Sequence, residues 1–272
     1  MPIIFKAKTD NAYQIKIMAE LLSQNIKTGC FEIDEKGIFL SMMDHHRRVL
    51  VDLQLHSENF SVFKFKHPGR LYVGLNLNHF HKMLKSIKKK DSIQLFIDDE
   101  SPSDLGIKVI PKENNRITTS FVKIQNIQNI VIDMPSGYNK PIIVSSSEIQ
   151  KLLKDMSNIG TTIRVISKNS KIQFECDAGG VLKRNVQFGE AEDPDDVHDT
   201  PDANEFDQEF STEQLCRISK MAGFSSNMQI YVGHPILFKS NIGSLGKISI
   251  YVKSKEQIER ESCNINTDYD SE

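Results

Sequence analysis

The chain has 272 residues, and its 34 Lys and Arg against 36 Asp and Glu give a formal net charge of -2. No apolar run approaches the roughly 20 residues of a membrane span, and MPIIFKAKTD at the N-terminus is too short and too soon charged for a secretory signal. The four cysteines are scattered without a CxxC pair, which argues against a zinc site or a disulfide scaffold and for a reducing, intracellular setting.

In chain order, four stretches repeat one plan: a short extended segment, a short amphipathic helix, then two strands joined by a turn. The first is FKAKTDNAYQIKIMAELLSQ with CFEID, a turn at 35–37 and IFLSM. The second is LYVGLNLNHFHKMLKSIKKK with SIQLFI, an acidic turn and LGIKVI. The third is IIVSSSEIQKLLKDMSNIG with TIRVIS, a turn at 168–170 and KIQFEC. The fourth is FDQEFSTEQLCRISKMAGF with MQIYV, a turn at 233–235 and ILFKSN. Strands are also predicted at VLVDLQLHS, FSVFKF, ITTSFVKIQ and VLKRNVQFG. Apolar residues alternate with period two, as in a half-buried antiparallel sheet. Ser146, Ser211 and Asn76 or Asn78 are candidate N-caps.

Helices this short must lie on a sheet to persist. The expected class is therefore α+β, with two similar domains, each built of antiparallel sheets and two short helices. The segment 126–141 has no clear period and carries Pro, Gly and Asn, so it reads as a connector between domains at 1–125 and 142–255, with an acidic tail at 256–272.

The net charge divides unevenly. Residues 190–209 carry -10 and residues 256–272 carry -5, which leaves +13 for the rest. A basic body with an acidic loop and tail points to a polyanionic partner. Placing the helix residues at about 100° per position sets cations opposite the apolar stripes. In the second helix Phe80, Met83, Leu84 and Ile87 oppose Lys82, Lys85 and Lys89. In the third, Ile149, Leu152, Leu153 and Met156 oppose Lys151 and Lys154. In the fourth, Leu215, Ile218 and Ala222 oppose Arg217 and Lys220, and in the first Ile17, Met18 and Leu21 leave Lys16 on the basic side. Glu213 is the acid within that sector, with Asp155 and Glu20 at its margin. Such an array suits phosphates, which need charge and no base-specific geometry.

Other chemistries find less support. His45, His46, His79 and His81 come without the cysteines or paired carboxylates of a tetrahedral metal set, and the clusters Asp98-Asp99-Glu100 and Asp195-Asp196 sit in predicted turns without a flanking base. Phosphate-binding glycine loops and a Ser/His/Asp signal are missing from the sequence. No catalytic residue, metal or cofactor is assigned.

The stretch 37–60 resembles a segment of the proliferating cell nuclear antigen family of sliding clamps, through Gly37, Leu40, Met43, Asp44, the strand 49–55, Ser57 and Phe60. VGLNLNHFHKMLK at 73–85, IQKLLKDMSNIG at 149–160, and Pro235 with IGSLGKISIYV at 242–252 add collinear matches. The resemblance implies a clamp fold and a non-enzymatic processivity factor that encircles double-stranded DNA without sequence preference. It further implies head-to-tail closure of a homotrimer, an ATP-dependent clamp loader, no membrane, and a place in the nucleus or a viral replication compartment. By position, its DNA-facing cations match Lys16, Lys82, Lys85, Lys151, Lys154 and Lys220. Polymerase and other enzymes would dock short peptides on Met43, Leu50, Ile132, Met134, Pro135, Pro235 and Tyr251, and subunits would pair the edges 116–124 and 181–188. Arg47 and Arg48, Asn158 and Glu213, an extra cation at Arg217, and Val-Lys-Ser-Lys after Tyr251 depart from the family pattern, as in a viral member or second paralogue. The alternatives are a monomeric or dimeric processivity factor, one subunit of a hetero-trimeric checkpoint clamp and, from another class, a metal-dependent nuclease.

Overall fold

The computed structural model describes residues 3–113, 116–168, 171–189 and 206–267. The part of the acidic loop at 190–205, Asp195-Asp196 within it, the turn residues Asn169 and Ser170, and tail residues 268–272 lie outside the described residues. The chain divides into two compact units. The first comprises Met1–Met134, Gly223–Ser225 and Ser240–Ser249, and the second Pro135–Ala222, Ser226–Lys239 and Ile250–Glu272.

In the first unit the elements run β1 (Ile3–Thr9), α1 (Ala12–Asn25), β2 (Thr28–Asp34), β3 (Gly37–Met43), β4 (Val49–His56), β5 (Val62–Phe65), β6 (Leu71–Asn76), α2 (Leu77–Leu84), β7 (Ser92–Asp98), β8 (Asp104–Ile110) and β9 (Thr118–Lys123). One antiparallel sheet has the order β5-β1-β7-β8-β9. A second set pairs β4 with β3, β3 with β2 and β2 with β6. Burial alternates along β1 and β7 as the period-two pattern requires, with Phe5, Ala7, Ile93 and Ile97 facing inward. Phe31 and Phe80 meet edge to face at 6.4 Å in this core.

The second unit repeats the plan with β10 (Ile142–Ser145), α3 (Ser146–Ser157), β11 (Thr162–Lys168), β12 (Lys171–Asp177), β13 (Lys183–Phe188), β14 (Phe206–Ser211), α4 (Thr212–Ile218) and β15 (Asn227–Tyr231). Then follow β16 (Ile236–Ile242), β17 (Gly246–Val252) and α5 (Lys255–Thr267). Its four-stranded sheet runs β13-β12-β11-β14, while β10, β15 and β16 pair in turn. Ile163, Val165, Ile172, Phe174 and Phe210 of this sheet are fully buried. No regular helix or strand occurs over 126–141. The two units are α+β and similar in plan.

Several local outcomes refine the sequence expectations. Residues 206–209, counted with the acidic loop by charge, belong to β14. The stretch after 255 forms α5, which its acidity had concealed. Asn76 caps α2 by accepting the His79 N–H at 3.0 Å, and Ser211 holds the N-cap position of α4 without a side-chain cap bond. Ser146 is the first residue of α3, and Ser145 stands at its N-cap. Met83 is 38% exposed because the stripe that α2 buries runs through Leu77, Phe80 and Leu84, with Ile87 beyond the helix, and leaves Met83 at its edge. In the fourth stretch Met221 is fully buried and Ala222 is only partly so, because α4 ends at Ile218 and a tighter 3-10 turn carries the chain on.

Residues 240–249 belong with the first unit for visible reasons. The Leu245 carbonyl accepts the His56 N–H at 3.0 Å, Asn11 donates to the Ser244 hydroxyl at 3.1 Å, and Gly246 lies against the Gln54 carbonyl. A comparable close approach fixes the start of the connector. The Gln125 N–H donates to the Gly74 carbonyl at 2.8 Å, and a Cβ on Gly74 would stand 2.1 Å from the Gln125 carbonyl oxygen. Gly74→Ala is therefore expected to lower stability by about 1–3 kcal/mol, the usual cost of overpacking, read as a lower urea midpoint; an unchanged midpoint would contradict this packing.

Candidate nucleic-acid interface and partner surfaces

The helices pack in pairs, α1 with α2 and α3 with α4. On α3 the stripe Ile149, Leu152, Leu153 and Met156 is buried, and Lys151 and Lys154 are exposed opposite it. On α2 Lys82 is exposed in the last turn, and Lys85 is exposed at the C-cap. None of these four lysines engages a carboxylate among the described residues. Lys89, expected on the helix, lies in the turn beyond it, because α2 ends at Leu84.

The remaining predicted cations are held differently. Arg217 pairs with Glu213 at 2.5 Å one helical turn away, which offsets its charge locally. Lys220 sits in the 3-10 turn after α4, partly exposed. Lys16 points between helices: its ammonium donates to the carbonyls of Lys85 at 2.8 Å and Ile87 at 3.0 Å, where the chain leaves α2. It also lies 5.8 Å from the centre of the Tyr13 ring, and Lys89 lies 5.9 Å from the same ring. The second unit places Gln150 in the corresponding position, donating to the Ser219 carbonyl after α4 at 3.2 Å. The repeat therefore uses one staple twice, each satisfying a carbonyl that a helix end leaves open. Asp155 at the margin of the basic sector is held by Arg184 at 2.5 Å.

The residues expected to receive partner peptides are described within each unit. In the first, Met43 and Leu50 face one another across β3 and β4, Leu50 buried and Met43 partly so, while Ile132 is half-buried and Met134 is 37% exposed. In the second, Pro135 and Pro235 are partly exposed and Tyr251 is buried. Tyr138 joins this group unforeseen. Its hydroxyl donates to the Pro235 carbonyl at 2.7 Å, and its ring lies 6.2 Å from Tyr251 and 6.1 Å from Tyr231. Burial first, and then the nearby Tyr251, push its phenol well above the ordinary value, so the hydroxyl stays a donor.

Arg47 and Arg48 ride on a loop built by Asp44. That carboxylate accepts the N–H groups of Arg48 at 2.6 Å and Val49 at 2.7 Å, and the Asp44 carbonyl accepts the Arg47 N–H at 2.9 Å. Arg47 adopts φ 54°, and both arginines are exposed. The expected pairing edges are both outer strands: β9 ends the five-stranded sheet and exposes Phe121 by 59%, and β13 ends the four-stranded sheet. Val181 and Leu182, just before β13, are 84% and 57% exposed.

The structure adds α5, for which the sequence held a signal. Ser254-x-x-Gln257 is a capping box: the Ser254 hydroxyl accepts the Gln257 N–H at 3.2 Å, and the Gln257 side chain accepts the Ser254 N–H at 3.0 Å. Gln208 on β14 then binds Glu256 at 2.8 Å. No helix among the described residues is long and apolar enough to cross a membrane.

Comparison with known proteins agrees with this architecture. Residues 4–132 match the family described as proliferating cell nuclear antigen, N-terminal domain, and residues 133–255 match its C-terminal domain. The uncharacterised protein 436R of Invertebrate iridescent virus 6 is 26% identical over 94% of each chain. The probable DNA polymerase sliding clamp 1 of Paramecium bursaria Chlorella virus 1 is 24% identical over 92% of this chain and 96% of its own. The crystal structure of the proliferating cellular nuclear antigen of Entamoeba histolytica superposes with a TM-score of 0.78 at 19% identity, over 93% of this chain and 99% of that one. The two domain matches together span nearly the whole chain, and it belongs to the proliferating cell nuclear antigen family as a divergent sliding clamp.

The staple separates two kinds of lysine. Lys16→Ala should cost about 1–2 kcal/mol, since two carbonyls at a helix end lose a charged donor, whereas Lys82→Ala should stay within about 0.5 kcal/mol of the parent. Equal midpoints in urea for the two variants would refute the distinction.

Proposed function

We propose that this sliding clamp, a processivity factor for DNA polymerase, holds duplex DNA through the phosphate backbone, without regard to base sequence. The observation that carries the reading is the set of exposed lysines Lys82, Lys85, Lys151 and Lys154, standing on the solvent side of helices whose opposite side is buried and engaging no carboxylate among the described residues. Phosphates ask for charge, not for a donor pattern. Exposed charge pairs are worth about 0.2–1 kcal/mol each, weak enough to break and re-form as the protein moves along DNA. Lys89, Lys220 and the partly offset Arg217 extend this surface, and Lys16 supports it through α2.

In this reading the protein is a non-enzymatic tether. Three copies close head to tail by pairing the β9 edge of one with the β13 edge of the next, which uses two outer strands that otherwise invite uncontrolled pairing. A closed ring needs an ATP-dependent loader to admit DNA. The polymerase and other replication or repair enzymes attach through short peptides with apolar anchors. The first unit offers them Met43, Leu50, Ile132 and Met134, and the second Pro135, Pro235 and Tyr251, with the nucleus or a viral replication compartment as the setting.

The test combines Lys82→Ala, Lys85→Ala and Lys154→Ala. DNA retention should fall, and the dependence of log affinity on log salt should flatten by roughly three, about one for each phosphate deprived of its lysine, while subunit assembly is unchanged. Retention and salt slope equal to the parent would rule out these helix faces as the DNA surface.

A further inference from the structure

A second basic site lies in the first unit, away from the helix faces. Antiparallel register sets Ser92 of β7 beside Ile110 of β8, and Val109 of β8 beside Thr118 of β9. The connection entering β7 and the one joining β8 to β9 therefore leave the same end of the sheet, side by side. Between them is a cleft of about 390 Å³, within the size range of small-ligand pockets. Lys88, Lys89 and Lys90 line it from the first connection, and Lys112 and Arg116 from the second.

Five cations meet two carboxylates there, and the carboxylates do not cancel them. Asp91 is only 6% exposed and accepts the Lys88 N–H at 2.8 Å, so its charge serves the turn. Glu113 reaches Lys90 at 3.4 Å with both side chains more than two-thirds exposed, a pair that a stronger anion can displace. Lys89 is drawn toward the Tyr13 ring. Lys88, Lys112 and Arg116 hold no ion pair among the described residues, and Ser86 and Thr118 add hydroxyls. Like charges gathered on one cleft repel one another until an anion enters.

We propose that this cleft is a phosphate-binding site, served either by consecutive phosphates of a nucleic-acid strand or by a free oligophosphate. The ammonium groups supply charge, and the Arg116 guanidinium supplies a planar fork for two phosphate oxygens. The site stands whether or not the helix lysines hold duplex DNA, since it shares only Lys89 with that surface.

The test uses the full chain in its solution assembly, so that whatever pairs with the β9 edge is in place, and titrates it with inorganic pyrophosphate by calorimetry. Saturable binding is expected, weakened about tenfold or more by Lys88→Gln, Lys112→Gln and Arg116→Gln together, at unchanged thermal midpoint. A charge-matched control, Lys36→Gln with Lys64→Gln and Lys66→Gln, should keep the parental affinity. Displacement of pyrophosphate by a short single-stranded oligonucleotide without terminal phosphates identifies the strand backbone as the source. Cleft-dependent pyrophosphate binding that the oligonucleotide leaves intact identifies a free oligophosphate. Non-saturable binding, or equal weakening in the cleft and control variants, would overturn the site.

Discussion

The structure depends on helices too short to stand alone. α2 has eight residues and α4 seven, well under the length at which an isolated helix is stable in water. Each persists only by burying an apolar stripe: Phe80 and Leu84 on α2, Leu215 and Ile218 on α4. That requirement fixes the rotation of the helix about its axis. Once the stripe is down, Lys82 on α2 and Lys151 and Lys154 on α3 have nowhere to go but solvent. The charged surface is thus a by-product of core packing, set by the same residues that make the helix possible.

The repeat shows how one mechanical problem is solved twice. A helix end leaves carbonyls without partners, and the neighbouring helix reaches across to fill them. Lys16 does so in the first unit and Gln150 in the second. A cation and a neutral amide serve equally because the need is for N–H donors, with charge an addition in the first case. Lys16 therefore has a structural task that a helical wheel assigns to the solvent side. Its third ammonium proton and its nearness to Tyr13 keep it at the margin of the basic surface.

Much of the fold was legible in the sequence because strands such as β1, β7 and β12 alternate buried and partly exposed residues, and because each unit repeats a helix between an extended segment and a strand pair. The third helix shows the principle at its best, with all four stripe residues buried and both lysines exposed. Legibility failed where local chemistry outweighs periodicity. Met83 fits the predicted stripe by angle, but Leu77 shares the buried face from the other side and leaves Met83 at the exposed edge. The extended segment at 206–210 was legible as the start of the fourth repeat and is β14, whereas charge counting hid α5, since Glu256 is an acid that Arg260 holds in an ion pair. The capping box at Ser254 and Gln257 was the available sign of α5. Tyr138 had no such sign, because its partner Pro235 lies 97 residues away.

In the proposed mechanism weak phosphate contacts suffice because the protein is confined on DNA by its closure around the duplex. The decisive quantity is its lifetime on nicked circular DNA, after loading, before and after the circle is cut once. Salt sufficient to strip the protein from a short linear duplex should leave it on the intact circle, and cutting should release it from the ends. Equal lifetimes on cut and uncut DNA would contradict confinement and place retention in the phosphate contacts themselves.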